Sequence, residues 1–117
     1  MKPWRLTHQA EQSLVEIAEW TVRRFGAEQA LAYRDALIAR LDALASGQPP
    51  HPRPCDLLMQ GRAAAAGLVF YREGGHYIVM RETEALLEVL DVLHERSDLS
   101  THILRLSRDR EAKDPEG

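Results

Sequence analysis

Leu68-Val69-Phe70-Tyr71-Arg72-Glu73-Gly74-Gly75-His76-Tyr77-Ile78-Val79-Met80-Arg81, continued by Glu82-Thr83-Glu84-Ala85-Leu86-Leu87-Glu88-Val89-Leu90-Asp91-Val92-Leu93, decides the fold. It holds three strand-like runs, Leu68 to Arg72, His76 to Arg81 and Leu86 to Leu93, separated by turn chemistry. Gly74-Gly75 is a hairpin signal, and Glu82-Thr83-Glu84 is a polar turn. Leu86, Leu87, Leu90 and Leu93 also fit a helical stripe. The run is short, however, and Leu87, Val89 and Asp91 interleave with Glu88, Leu90 and Val92, so a strand is preferred. An antiparallel meander is predicted.

Upstream stand four prolines in six positions, Pro49, Pro50, Pro52 and Pro54. A proline ring has no N–H to donate, so this reads as an extended crossing loop without regular hydrogen-bonded structure. Before it, Ala27 to Ala45 contains only strong helix formers, with Ala30, Tyr33, Leu37, Leu41 and Leu44 on one face and Leu31 and Ile38 beside them. A second stripe, Ala10, Leu14, Ile17, Ala18, Thr21 and Phe25, widened by Val15 and Val22, predicts a helix over residues 8–24. Gly26 follows at once, placed to close that helix in a left-handed conformation. Two helices joined so tightly fold back as an antiparallel hairpin. Trp4-Arg5-Leu6 alternates apolar and polar side chains and meets Thr7, a good N-cap, so a short strand leads into the hairpin.

Downstream, His94-Glu95-Arg96-Ser97-Asp98 breaks the strand pattern, and Leu99 to Leu106 predicts one or two helical turns. Residues 107–117 are almost wholly charged and polar and are expected to form a disordered tail. The expected fold is therefore α+β: an N-terminal strand, an antiparallel helical hairpin packed on a three- to four-stranded antiparallel sheet, and a short C-terminal helical segment. One domain is expected over residues 1–106.

The bulk numbers agree with one core. At 117 residues a chain buries about two thirds of its unfolded surface. Neither a signal peptide nor a membrane-spanning stretch is legible, so the cytosol is the expected location and no membrane partner is expected. A single cysteine, Cys55, excludes an internal disulfide and a thiolate metal cluster, and reads as a bystander. The net charge is −3 and the pI about 5.9. Affinity for a nucleic-acid backbone comes from basic side chains displacing counterions, so broad binding to RNA or DNA is disfavoured.

The order strand, helix, helix, three-strand meander resembles the RelE/ParE toxin superfamily of bacterial type II toxin–antitoxin systems. Local residues tighten the likeness. Trp4-Arg5-Leu6-Thr7 with Ala10, Leu14 and Ile17 resembles the family's opening, and Phe25-Gly26 with Ala30 and Tyr33 is similar to its helix-hairpin signature. Val92-Leu93-His94-Glu95-Arg96-Ser97-Asp98 looks like the Leu-His-x-x-x-Asp ending of the ParE branch. The resemblance spans roughly residues 2–103. It implies a protein that poisons DNA gyrase, is neutralised by a ParD-like antitoxin in a hetero-oligomer, and needs no cofactor. The RelE branch implies ribosome-dependent cleavage of messenger RNA instead, and a third reading is an antitoxin-bound scaffold without toxicity.

Cleaving RNA on this fold requires a Lys and Arg cluster with a Tyr or His near the last strand. Arg62, Arg72, Arg81, His94, Arg96 and His102 are the candidates. Against them, residues 56–117 hold twelve Asp or Glu and eight Lys or Arg, and Met80 stands where many relatives carry an aromatic. No catalytic residue is expected. His94 reads as a structural residue bonding Asp98 or loop backbone, and with His102 eight positions away and no third ligand in reach, a metal site is not expected. Arg62, Arg72 and Arg81 suit the carboxylates of an acidic antitoxin segment, with solvated strand faces as the equal alternative. Trp20 on the outer edge of the hairpin marks a partner surface, and His94 and Arg96 complete the expected antitoxin- or target-binding set.

Overall fold

Thr7 is where the chain turns from strand to helix. Its hydroxyl accepts the Ala10 N–H at 3.1 Å, capping the helix, and donates to the Leu90 carbonyl at 2.8 Å, fixing that helix to the sheet. The computed structural model describes residues 2–59 and 67–113, with side chains through Ser107 in the last helix. The elements are β1 (Trp4–Leu6), α1 (His8–Phe25), α2 (Ala27–Ala45), β2 (Arg53–Pro54), a 3-10 turn (Cys55–Leu58), β3 (Leu68–Glu73), β4 (His76–Glu82), β5 (Leu87–His94) and α3 (Leu99–Lys113).

The meander and the hairpin stand where the sequence placed them, but the sheet is larger and mixed. Five strands run in the order β1-β5-β4-β3-β2. The three meander strands and β2 are antiparallel, while β1 lies parallel to β5, with Trp4 opposite Leu87 and Leu6 opposite Val89. The helical hairpin is the crossover that lets β1 return beside a strand of the same direction. The proline-rich segment also departs from expectation. Arg53 and Pro54 pair with Phe70 and Val69 as an edge strand, where a residue lacking an N–H is tolerated, and Cys55–Leu58 forms the 3-10 turn.

Both faces of the sheet are covered. Leu37, Leu41 and Leu44 of α2 and Ala10 of α1 pack on Ile78, Met80, Leu87, Val89 and Val92. On the other face Ile103 and Leu106 of α3 and Cys55 and Met59 beside the 3-10 turn pack on Val79, Leu90 and Leu93. This explains why β5 carries leucine and valine toward both faces: a strand buried on both sides has no solvent face to alternate with, and even its acids Glu88 and Asp91 are buried. It also corrects the C-terminus, because α3 runs to Lys113 and takes in residues 107–113 of the expected tail.

The hairpin stripe is narrower than its periodicity suggests. Phe25 is 60% exposed, and the flanking residues Val15, Val22, Leu31 and Ile38 face outward. Gly26, shared by both helices, has φ 99° and ψ 165°. Its positive φ is as expected, but the ψ places it in a region open almost solely to glycine and outside the left-handed helical well.

Candidate functional site

The pairing of β4 with β5 slips by one residue: Val79 faces Asp91 while Met80 faces Val89. Such a bulge leaves an extra residue in one strand and re-aims the side chains around it. Here it delivers Asp91 beneath α1, where Ser13 donates to its carboxylate and the Val92 N–H donates at 2.8 Å. Asp91 is 4% exposed. Burial raises its pKa, opposed by those two hydrogen bonds and by His102 and Gln9.

Beyond the bulge the strand ends at His94. Register sets His76, the first residue of β4 after the Gly74-Gly75 turn, opposite His94, and the rings meet edge-on with centroids 5.5 Å apart. The Tyr33 hydroxyl reaches His76 Nδ1 at 2.7 Å and the Glu73 carbonyl at 3.2 Å. Burial is the main cause of both shifts in this pair: the phenol is pushed up to about 12 and the imidazole of His76 is lowered. His76 therefore stays neutral near pH 7, and Tyr33 is a poor base there. Arg40 closes the group through Glu73 at 3.0 Å and lies over the Tyr71 ring. Gly74 sits against it, since a Cβ there would stand 3.3 Å from Tyr33 Cε1.

The candidate residues fall into separate places. Trp20, Arg72, His94 and Arg96 gather toward one end of the sheet, whereas Arg81 stands at the other end opposite Leu68 and Glu88. Arg62 lies outside the described residues. Arg72 is held by both oxygens of Glu95, at 2.9 and 3.1 Å, and by the Gly74 carbonyl. His94 Nδ1 accepts the Arg96 backbone N–H at 3.0 Å, the loop-backbone role anticipated for it, while Asp98 receives the Thr101 and Ser100 hydroxyls at the start of α3. Trp20 is 48% exposed, packs edge-on against Phe25, and shares a cleft with Arg23, His76, His94 and His102. His76 and Tyr33 were not singled out as site residues; placing His76 opposite His94 in a hairpin register would have found the first. Among the described residues no three His, Cys, Asp or Glu converge as metal ligands.

Beside β1 the hairpin carries an apolar groove of about 560 Å³ between α1 and α2, lined also by Trp4 and Leu6. Val15, Val22, Leu31 and Ile38 form its rim at 53, 45, 50 and 41% exposure, and Leu14, Leu37 and Leu41 its floor. Arg34 is the charged residue that lines it.

Residues 4–99 match the family of the ParE toxin of the type II toxin–antitoxin system parDE. Toxin ParE1 of Caulobacter vibrioides is 32% identical over 106 residues, covering 88% of this chain and 99% of that protein. A solved structure titled as the chromosomal ParDE toxin–antitoxin system from P. aeruginosa superposes with a TM-score of 0.61 at 14% identity, over 80% of this chain and 95% of that one, a likeness of fold. Because the matched region takes in β1, the hairpin and the whole meander, the chain belongs to the ParE toxin family of type II toxin–antitoxin systems.

Proposed function

We propose that this toxin arrests growth by binding DNA gyrase, without chemistry of its own, and is neutralised in the cytosol by a ParD-like antitoxin. The antitoxin would lay an amphipathic helix into the groove between α1 and α2. The observation that supports the antitoxin site is that groove: four large aliphatic side chains on two adjacent helices, Val15, Val22, Leu31 and Ile38, stay exposed around one apolar cavity. A groove of this kind is read by the i, i+3, i+4 and i+7 anchors of a partner helix.

Two features favour binding over RNA cleavage. The face of the sheet opposite the hairpin is filled by α3 and the 3-10 turn, so apolar side chains cover it and it is not open to a nucleic-acid strand. The Tyr33 phenol, pushed up to about 12 by burial, stays protonated near neutrality and is not available there as a base. The Arg72 side chain already holds Glu95 and the His94 ring already accepts the Arg96 backbone N–H, and with Arg96 they serve the binding reading as the rim of a partner surface.

The test is induction of the chain alone and together with its antitoxin in a bacterial host. Double-strand DNA breaks and an SOS response with intact messenger RNA are expected, and codon-positioned RNA cleavage would overturn the gyrase reading. Ile38→Glu is expected to keep toxicity and lose neutralisation. Neutralisation unchanged by that substitution would remove the groove as the antitoxin site.

A further inference from the structure

On the other side of α1 from the groove, two cavities of about 490 and 420 Å³ share Ser13, Glu16, Leu93 and His102 and merge into one trench. Its walls are α1 and α3 and its floor is the end of β5, because α3 packs on the 3-10 turn and leaves α1 free along this side. From Gln9 to Arg23 of α1 it runs roughly 21 Å at the helical rise, the reach of about six extended residues.

The lining runs against the charge of the chain. In a protein of net charge −3, the trench presents Arg23 at one end and Arg105 at the other, with His8, His76, His94 and His102 between them. Two carboxylates oppose these, Glu16 and Asp91, and Asp91 is buried and already bonded to Ser13 and Val92. Among the described residues neither Arg23 nor Arg105 has a hydrogen-bond or ion-pair partner, in contrast to Arg5, Arg40 and Arg72, each held by a glutamate. Trp20 adds an exposed indole beside Arg23, and Leu93 an apolar patch on the floor.

We infer that this trench is a second docking site, which takes an extended acidic peptide, with carboxylates on Arg23 and Arg105 and an apolar side chain against Trp20. The inference rests on the proposed function only for the source of that peptide, an extended acidic part of the antitoxin whose helix fills the groove. Such a partner would straddle α1, holding it from both sides. Guanidinium groups without internal partners and several imidazole donors suit carboxylates spaced along a strand.

The experiment titrates the full chain with a fluorescein-labelled eight-residue peptide of alternating glutamate and leucine, read by anisotropy. A lysine–leucine peptide and an eight-nucleotide thymidine strand serve as comparison probes. Saturable binding of the acidic peptide is expected, weakened at least tenfold by Arg23→Glu with Arg105→Glu and less than twofold by Arg24→Glu, a neighbouring arginine outside the trench. Absence of binding, equal loss in the Arg24→Glu protein, or tighter binding of the oligonucleotide would each overturn the assignment. Far-UV circular dichroism confirms that the variants fold. Neutralisation through the groove is read separately with Ile38→Glu, so a failed peptide titration leaves the groove reading standing.

Discussion

Asp91 is a carboxylate that the fold has placed where its charge is costly. Its pKa lies above the ordinary value because burial outweighs the help of Ser13, the Val92 N–H and His102. A carboxyl raised on folding binds its proton more tightly in the native state, so its contribution to stability is complete below the unfolded value near 3.8. That contribution is lost as pH rises through the folded one. Asp91→Asn keeps an oxygen to accept the Ser13 and Val92 bonds and removes the charge. It is expected to be neutral or up to about 1 kcal/mol more stable at pH 7.5, and to lose the wild type's relative gain between pH 7 and 4, as read by urea unfolding at several pH values. Asp91→Ala leaves both donors without their acceptor and is expected to cost about 1–3 kcal/mol. The residue was visible in the sequence as part of a strand. The bulge that makes it a buried acid was not, because a one-residue slip between β4 and β5 leaves no trace in local periodicity.

Among the elements, legibility follows the range of the interactions that make them. The two helices and the three meander strands were predicted to within a residue or two, since caps, stripes and turn glycines act over a few positions. Three features escaped. The parallel pairing of β1 depends on a partner more than eighty residues away, from Leu6 to Val89, β2 hides among prolines, and the length of α3 is masked by the charged composition of residues 107–113. Gly26 was expected to be glycine for its positive φ, and the structure narrows the reason. Nothing lies within 4 Å of an added Cβ there, so the cost of Gly26→Ala is conformational alone. About 1–3 kcal/mol is expected, seen as a lower urea midpoint with an unchanged m-value. Ile103 makes the equivalent case for α3: it is fully buried against the second sheet face. Ile103→Ala is expected to cost about 2–5 kcal/mol in the same assay, and no change would show that α3 adds nothing to the core.

At the scale of the molecule, two faces of α1 differ in kind: an apolar groove on the side of α2 and a polar trench on the side of α3. A partner that binds only the folded toxin stabilises it by mass action, by about 2.7 kcal/mol at a hundred times the dissociation constant. Thermal unfolding of the toxin with its antitoxin is therefore expected to move upward with antitoxin concentration, and Ile38→Glu to shrink the movement while leaving the free toxin's own midpoint within a few degrees. The sequence disclosed the family and the exposed edge of the hairpin through Trp20. It did not disclose the trench, whose walls come from the two ends of the chain and exist only once the sheet has closed.

The long closure of β1 on β5 has a consequence for synthesis. Contacts between residues so distant cannot form until both have left the ribosome, and they are slow because loop entropy is lost first. While α1 and α2 are emerging, the sheet that buries Leu37, Leu41 and Leu44 does not yet exist, and only translation past Val89 supplies the strand on which β1 docks. A nascent chain of this toxin is thus a helical hairpin without a floor until β5 has emerged, and only then does the finished poison exist.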